Sequence, residues 1–364
     1  MADAGIKKYL FMKAASGRIP ISGTFELTPR CNLNCKMCYI RMSGDEQTRT
    51  GKELTADEWI KLGGEAVKSG MIYLLLTGGE PMLRPDFCEI YEAMIRMGVI
   101  MSVNTNGTMI SPRIVSLFSK HPPEKVSISL YGASPETYAA HCGSGAAFDE
   151  AMQGIMALKK AGVYVNLNTT FTKDNISDMN AIVGFAKKED IPIRMTGFLF
   201  PPVRRSRKDG GYSMTPEETG RSQARFDKLT LTPAEAAARR ARISSCTQDV
   251  SADETCRECS HASCIAGKGA FWLSWDGMMY PCGMLPDRAV DARHVGFDEA
   301  WQATCKSMDK ACIPAECLGC KYRSVCPICT AVPQTLSGSE DVVPRELCRQ
   351  VRAYVDEFMT PYSD

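Results

Sequence analysis

The stretch Thr24-Phe-Glu-Leu-Thr28-Pro-Arg-Cys31-Asn-Leu-Asn-Cys35-Lys-Met-Cys38 ends a β-rich run and places three cysteines on the loop that leaves it. The C-x3-C-x2-C spacing lets three thiolates wrap one face of a cubane iron–sulfur cluster. The fourth iron is then left without a protein ligand, open to a small molecule. A fourth cysteine in the loop would close the site and favour simple electron transfer. A zinc site of three cysteines and a histidine is the alternative, but no histidine lies between residues 1 and 120.

Working outward, the chain alternates β-rich runs with amphipathic stretches from residue 21 onward. The runs cover 24–28, 71–77, 99–105, 126–131, 163–170 and 191–200; helical patterns fall at 55–68, 87–96, 112–120, 148–160 and 176–187. Thr55 and Glu58 have the spacing of a capping box at a helix start. Six alternations imply an α/β protein whose parallel strands are covered by helices. Six are too few for a closed eight-fold barrel, so an open partial barrel and a doubly wound sheet both fit. Either puts the reactive site at the C-terminal ends of the strands. The polar and glycine-rich segments fall there: 29–38, then Gly78-Gly79-Glu80-Pro81, then Asn104-Thr105-Asn106-Gly107.

Residues 1–20 read as an N-terminal extension with a short helix near 6–12, and 21–212 as the α/β domain. A basic, proline- and glycine-containing loop or linker at 201–213 ends it. A helical bridge at 213–245 leads to a cysteine-rich domain at 246–348, with 349–364 as the C-terminal helix, whose pattern starts at 345.

Of 364 residues, 44% are hydrophobic and 23% charged, values ordinary for a globular protein with a full core. A net charge of +1 gives no bulk attraction to nucleic acid or an anionic membrane. No apolar run approaches the ~20 residues needed to cross a bilayer, and Met1-Ala2-Asp3-Ala4-Gly5 starts no signal peptide. A reducing, cytoplasmic setting is expected. There the 17 cysteines speak for metal ligation over disulfides.

The C-x3-C-x2-C loop, followed at the next strand end by Gly78-Gly79-Glu80-Pro81, resembles the radical S-adenosylmethionine (radical SAM) superfamily. The resemblance implies a partial (βα)6 barrel with Cys31, Cys35 and Cys38 on a 4Fe–4S cluster. The open iron of that cluster chelates the methionine moiety of SAM, and the reduced cluster cleaves SAM to a 5′-deoxyadenosyl radical. Gly78, Gly79, Glu80 and Pro81 match the family segment that binds the methionine ammonium, which backbone carbonyls and one carboxylate suit. Asn104, Asn106 and Ser129 resemble positions that contact the carboxylate or ribose. Met37 stands where the family places an aromatic residue over the adenine; a thioether also packs on a purine face. The arginine that some relatives carry after the fourth strand for the SAM carboxylate has no counterpart in His141-Cys142-Gly143-Ser144-Gly145.

Further on, Cys264-x12-Gly277-x4-Cys282, then Cys317-x2-Cys320-x5-Cys326-x2-Cys329, then Cys348 resemble the loop-rich SPASM extension of that superfamily. This implies two auxiliary 4Fe–4S clusters, three clusters in all. Cys264, Cys282 and Cys329 would bind the first, with Cys259 or, failing it, Cys256 as fourth ligand. Cys317, Cys320, Cys326 and Cys348 would bind the second, and Cys348 would tie the last helix to it. A zinc ribbon of Cys317, Cys320, Cys326 and Cys329 is the rival, but it leaves Cys264, Cys282 and Cys348 without a role. Cys88 and Cys142 read as packing residues, Cys246, Cys305 and Cys312 as surplus, and Trp272 and Trp275 as packing beneath the auxiliary clusters.

Relatives of this type oxidise substrates. Some crosslink ribosomally made peptides through thioether or carbon–carbon bonds, others act on small molecules or tetrapyrroles, and others oxidise sulfatases. The sulfatase type carries an acidic base directly after the cysteine equivalent to Cys282; here Gly283 follows. Asp276, in Trp275-Asp276-Gly277, reads as a turn residue, and no catalytic base is assigned. The expected substrate is a peptide, crosslinked within itself, with a reductase or flavodoxin-type protein as electron donor. The first strand begins by residue 24, leaving no room for a leader-recognition domain, so a separate protein could present the peptide. The run Arg204, Arg205, Arg207, Lys208 suits a solvated loop or an acidic leader.

Overall fold

The structure, a computed structural model, describes residues 2–202, 211–245 and 264–361. Its centre is a sheet of nine strands: β1 (Ser22–Glu26), β2 (Tyr73–Thr77), β3 (Ile100–Thr105), β4 (Lys125–Ser129), β5 (Val165–Thr169), β6 (Ile193–Met195), β7 (Ala270–Leu273), β8 (Met278–Tyr280) and β9 (Val290–Asp291). The order is β6-β5-β4-β3-β2-β1-β7-β8-β9. The first six strands are parallel to their neighbours and lie in chain order. That progression belongs to a barrel wall; a doubly wound sheet would reverse direction at a switch point. β1 pairs with β7, not with β6, so the barrel stays open.

Helices follow the strands. They are α1 (Ala2–Ser16), α2 (Gly44–Thr50), α3 (Ala56–Lys68), α4 (Phe87–Arg96), α5 (Pro112–Lys120), α6 (Pro135–Cys142), α7 (Ala146–Lys160) and α8 (Met179–Lys188) in the barrel region. Beyond it come α9 (Pro216–Thr230), α10 (Pro233–Ser245), α11 (Ala292–Val295), α12 (Phe297–Ser307), α13 (Ala331–Ser337) and α14 (Arg345–Met359). The capping box is present: Glu58 N–H donates to Thr55 Oγ1 at 3.2 Å and Thr55 N–H to the Glu58 carboxylate at 2.8 Å. Among the described residues no helix is long and apolar enough to cross a membrane.

Strand residues alternate between two environments, as a pleated strand requires. Val103, Val126, Ile128, Val165 and Leu167 are buried in the main apolar core, which also takes in the covering helices. The alternate residues, Ser102, Asn104, Ser127, Asn166, Asn168 and Arg194, line a cavity on the other face, so the lumen of the barrel is polar. The cysteine-rich segment is more regular than its sequence suggests. Its β7–β8 hairpin continues the barrel sheet, and Phe271 packs against Phe25 of β1 (ring centroids 6.3 Å apart) and Phe297 of α12 (5.0 Å). One core thereby joins the two regions.

Candidate active site

The cysteine loop leaves β1 and is clamped by backbone from two sides. On one side Gly79 N–H donates to Thr28 O at 2.7 Å and Glu80 N–H to Arg30 O at 2.8 Å. This approach explains the glycine pair. A Cβ at residue 79 would lie 2.2 Å from Arg30 O, and one at residue 78 would lie 2.6 Å from Thr28 O. On the other side Asn34 N–H donates to Cys142 O at 2.9 Å and Lys36 N–H to His141 O at 3.1 Å. These are the last carbonyls of α6, which carry no intrahelical partner of their own. The segment without the family arginine thus holds the loop by its main chain.

Charged groups brace the same loop. Arg30 makes a two-pronged contact with Glu53 (2.8 and 2.9 Å). Arg84, nearly buried, joins Glu53 (3.2 Å) to Asp86 (2.6 Å) and donates to the carbonyls of Leu27 and Leu54. We expect Gly79→Ala to cost about 1–3 kcal/mol through overpacking. It should also lower SAM cleavage about a hundredfold by displacing Cys31. Thermal unfolding and 5′-deoxyadenosine formation measure the two effects; wild-type values for both would refute the role given to the glycine pair.

His141 is fully buried, with Nδ1 3.3 Å from Thr172 Oγ1 and its ring against Tyr131. Burial, the largest cause, holds its pKa down to about 4, with nearby Lys36 adding to the effect and Asp174 opposing it. The unfolded chain therefore takes up the proton first. Stability is full above the ordinary value of 6.5 and is lost as pH falls toward about 4, by on the order of 3 kcal/mol. His141→Gln should abolish that loss, as urea unfolding at about pH 7.5 and about pH 4.5 would show. An equal acid loss in the variant would refute it.

The three thiols line a cavity of about 530 Å³. Backbone N–H groups point at two of them: Leu33 to Cys31 Sγ at 3.4 Å and Arg41 to Cys38 Sγ at 3.3 Å. Burial above all, helped by Glu80, Cys35 and Cys38 and opposed by the Leu33 N–H, pushes the Cys31 thiol up to about 12. Three closely set thiols with N–H groups aimed at the sulfurs would ligate as thiolates once a cationic iron core offsets that burial and mutual repulsion, so the donor set fits an iron–sulfur cluster.

Of the residues expected to hold SAM, Met37, Gly78, Gly79, Asn104, Asn106 and Ser129 line this cavity with the three cysteines. Glu80 and Pro81 lie behind its wall. The Glu80 carboxylate is fully buried and accepts from Thr105 Oγ1 (2.9 Å), Asn106 N–H (2.8 Å) and Met82 N–H (3.2 Å). Burial raises its pKa to about 7 against those donors. It staples the β2 loop to the end of β3. Asn106 is likewise engaged, donating to Asn32 at 2.9 Å and accepting from Thr108. The Asn104 side chain has no hydrogen-bond partner among the described residues.

Trp272, Cys282, Gly283 and Met284 of the C-terminal region also line the cavity. Trp272 Nε1 donates to the buried Glu26 at 2.8 Å. The indole lies so close that a Cβ at residue 283 would meet it at 3.0 Å, which accounts for glycine after Cys282. Trp275 is placed elsewhere: it is buried against Gly51, and its carbonyl accepts from Leu54 N–H, so it does not pack beneath Cys282. Asp276 accepts from Ser274 in the hairpin turn, as its sequence context implied.

The C-terminal thiols form two groups. Burial lifts Cys326 to about 11, and Cys348, Cys317 and Cys320 reinforce the shift; Cys317 is raised by burial and by Cys348 and Cys320. Cys329 instead feels Cys264, and it shares an apolar patch with Cys282. Among the described residues no three His, Cys, Asp or Glu side chains converge to hold a single metal ion. Cys348 belongs to the same group as Cys317, Cys320 and Cys326, a thiol that a ribbon of Cys317, Cys320, Cys326 and Cys329 would leave out. Cys256 and Cys259 lie outside the described residues, as do Cys246, Arg204, Arg205, Arg207 and Lys208. Cys305 is buried in the core, and Cys312 bonds to Asp341.

Cavity residues that escaped the sequence reading include Tyr131, Asn168, Arg194, Phe198 and Phe200. A signal for Asn168 existed in the alternation Val165-Asn-Leu-Asn168, whose polar face is the lumen.

Residues 25–186 match the model of the Radical SAM superfamily. The AdoMet-dependent heme synthase of Methanosarcina barkeri is 29% identical over 86% of this chain and 92% of its own. The mycofactocin maturase MftC of Mycobacterium tuberculosis is 31% identical over 49% of this chain and 44% of its own. Among solved structures, native anSMEcpe with bound AdoMet superposes with a TM-score of 0.70 at 16% identity, covering 93% of this chain and 96% of that one. Streptococcus suis SuiB bound to its precursor peptide SuiA gives 0.67 at 14% identity, covering 93% and 79%. Domain match, barrel topology and the setting of the cysteine loop agree: residues 25–186 form a radical SAM domain, and the chain is an enzyme that binds SAM and at least one 4Fe–4S cluster.

Proposed function

We propose that this enzyme oxidatively modifies a ribosomally made peptide, forming a thioether or carbon–carbon crosslink within it. The observation that carries the reading is the single cavity running from Cys31, Cys35 and Cys38 to Cys282. A bound substrate side chain would lie between the two thiol groups. Bound at these thiols, the SAM-ligating cluster supplies the hydrogen-abstracting 5′-deoxyadenosyl radical and two auxiliary clusters supply an electron acceptor.

The chain's own residues set the rest. Cys31, Cys35 and Cys38 hold the first cluster. Gly78 and Gly79 bring their backbone to SAM, and Met37, Asn104 and Ser129 flank it. Cys264, Cys282 and Cys329 hold the nearer auxiliary cluster, completed by Cys259 or Cys256, while Cys317, Cys320, Cys326 and Cys348 hold the other. Tyr131, Phe198 and Phe200 give the cavity an aromatic wall that excludes water. An electron donor of the reductase or flavodoxin type and a separate leader-recognition protein complete the system.

A tetrapyrrole is the second reading, favoured by the similarity to the heme synthase over most of both chains. The cavity speaks for the peptide. Arg194 is the one cation among its described lining residues, poor provision for a macrocycle carrying several carboxylates. Co-expression with short cysteine- or aromatic-containing peptides, followed by mass spectrometry, tests the choice. Loss of two hydrogens from one peptide is the expected result; unchanged peptides beside conversion of a propionate-bearing tetrapyrrole would overturn it.

A further inference from the structure

The cavity wall beside Cys282 is built from rings. Phe198 and Phe200, on the segment that leaves β6, meet edge to face with centroids 4.9 Å apart. Phe200 and Tyr39 pack with Cys282 on the apolar group that contains Met284. Trp272 lies against the backbone that joins Cys282 to Met284, since a Cβ at residue 283 would meet its indole at 3.0 Å. All of these side chains line the cavity that also holds Cys31, Cys35 and Cys38. The four rings are only half-buried, so ring surface is left turned toward the cavity. Among the described residues no carboxylate lines it, which leaves a cationic occupant without a counter-charge.

Apolar surface left wet inside a cavity gains by being covered, and a ligand that enters covers it. Rings and a thioether sulfur favour an aromatic occupant over an aliphatic one of equal area, because edge-to-face, stacked and sulfur–ring contacts add to the gain from burial. From this juxtaposition we infer that the wall beside Cys282 receives an aromatic side chain of the molecule being modified, a phenylalanine, tyrosine or tryptophan of a peptide. The inference rests on the proposed reading, since it names the residue that a peptide substrate presents. SAM carries an aromatic adenine of its own and is the competing source.

The test uses anaerobically reconstituted, SAM-loaded enzyme and a pool of short random peptides. A propionate-bearing porphyrin is run in parallel. Retained peptides are sequenced by mass spectrometry, and SAM affinity is measured by equilibrium dialysis. Wild type should enrich phenylalanine, tyrosine and tryptophan over leucine and isoleucine by about threefold to tenfold, the scale of contacts between rings. The enrichment should vanish in the double variant Phe198→Leu/Phe200→Leu, which keeps apolar bulk and removes two rings, with SAM affinity little changed. Iron content and thermal unfolding near those of wild type show that the variant is intact. Should it fail to fold, Phe198→Leu alone carries the test, and the enrichment should at least halve. Retained peptides without aromatic enrichment, an enrichment undiminished in the folded variant, or enrichment of lysine and arginine in its place overturns the assignment while the peptide reading stands. A tenfold loss of SAM affinity with the enrichment intact gives the wall to adenine and also overturns it. No retained peptide, whether or not the porphyrin is retained, overturns the peptide reading together with this assignment.

Discussion

Replacing Cys31, Cys35 and Cys38 together by alanine is expected to reduce 5′-deoxyadenosine formation to the level of a protein-free control. It should also remove about a third of the iron, one cubane of three. The fold should survive. The loop is positioned by main-chain bonds of Asn34, Lys36, Gly79 and Glu80 and by the Arg30–Glu53–Arg84 contacts, none of which involves a thiol. Circular dichroism and thermal unfolding near those of wild type would establish that. Persistent 5′-deoxyadenosine in the folded variant would mean that SAM is bound and cleaved elsewhere.

Cys348→Ala should separate SAM cleavage from substrate turnover. The thiol lies in the first turn of α14 and is coupled to Cys317 and Cys326. From sequence alone it is the tie that holds the last helix. The structure gives that helix its own anchorage. Leu347, Val351, Tyr354 and Phe358 are buried, and Tyr354 OH donates to Asp227 at 2.7 Å and accepts from Arg239 at 2.8 Å. A Cβ on Gly220 of α9 would come within 2.1 Å of Gln350 O, so the two helices pack backbone to backbone there. The variant should therefore keep α14 docked yet lose about a third of its iron. It should form 5′-deoxyadenosine without the modified product. Full iron content with normal product would make Cys348 an ordinary thiol, and the second auxiliary cluster would need another ligand.

Periodicity carried much of the fold. The patterns at 87–96 and 112–120 coincide with α4 and α5, and the pattern beginning at 345 with α14. α2, α6 and α13 were missed because elements of seven or eight residues offer barely two turns of pattern. The cost was functional, since α6 supplies the carbonyls that hold the cysteine loop, and backbone carbonyls leave no mark on a sequence. The β7–β8 hairpin did leave one: Ala270–Leu273 and Met278–Tyr280 flank Asp276-Gly277, a hairpin turn pair. The density of cysteines obscured it. At the site, spacing identified the cysteine loop and the glycine pair, but Glu80 shows the limit of a motif. Its residue type was legible; its bonds to Thr105 and Asn106 depend on how β2 and β3 lie in space. Arg194 is a single residue on a three-residue edge strand, and only the barrel's curvature brings it into the cavity.

Iron and acid-labile sulfide in anaerobically reconstituted wild-type protein test most directly whether a SAM-binding cluster faces two auxiliary clusters in one chain. The expected content is about twelve irons and about twelve sulfides per chain, three cubanes. About four irons with stoichiometric zinc would contradict it, leaving the C-terminal cysteines as a structural metal site.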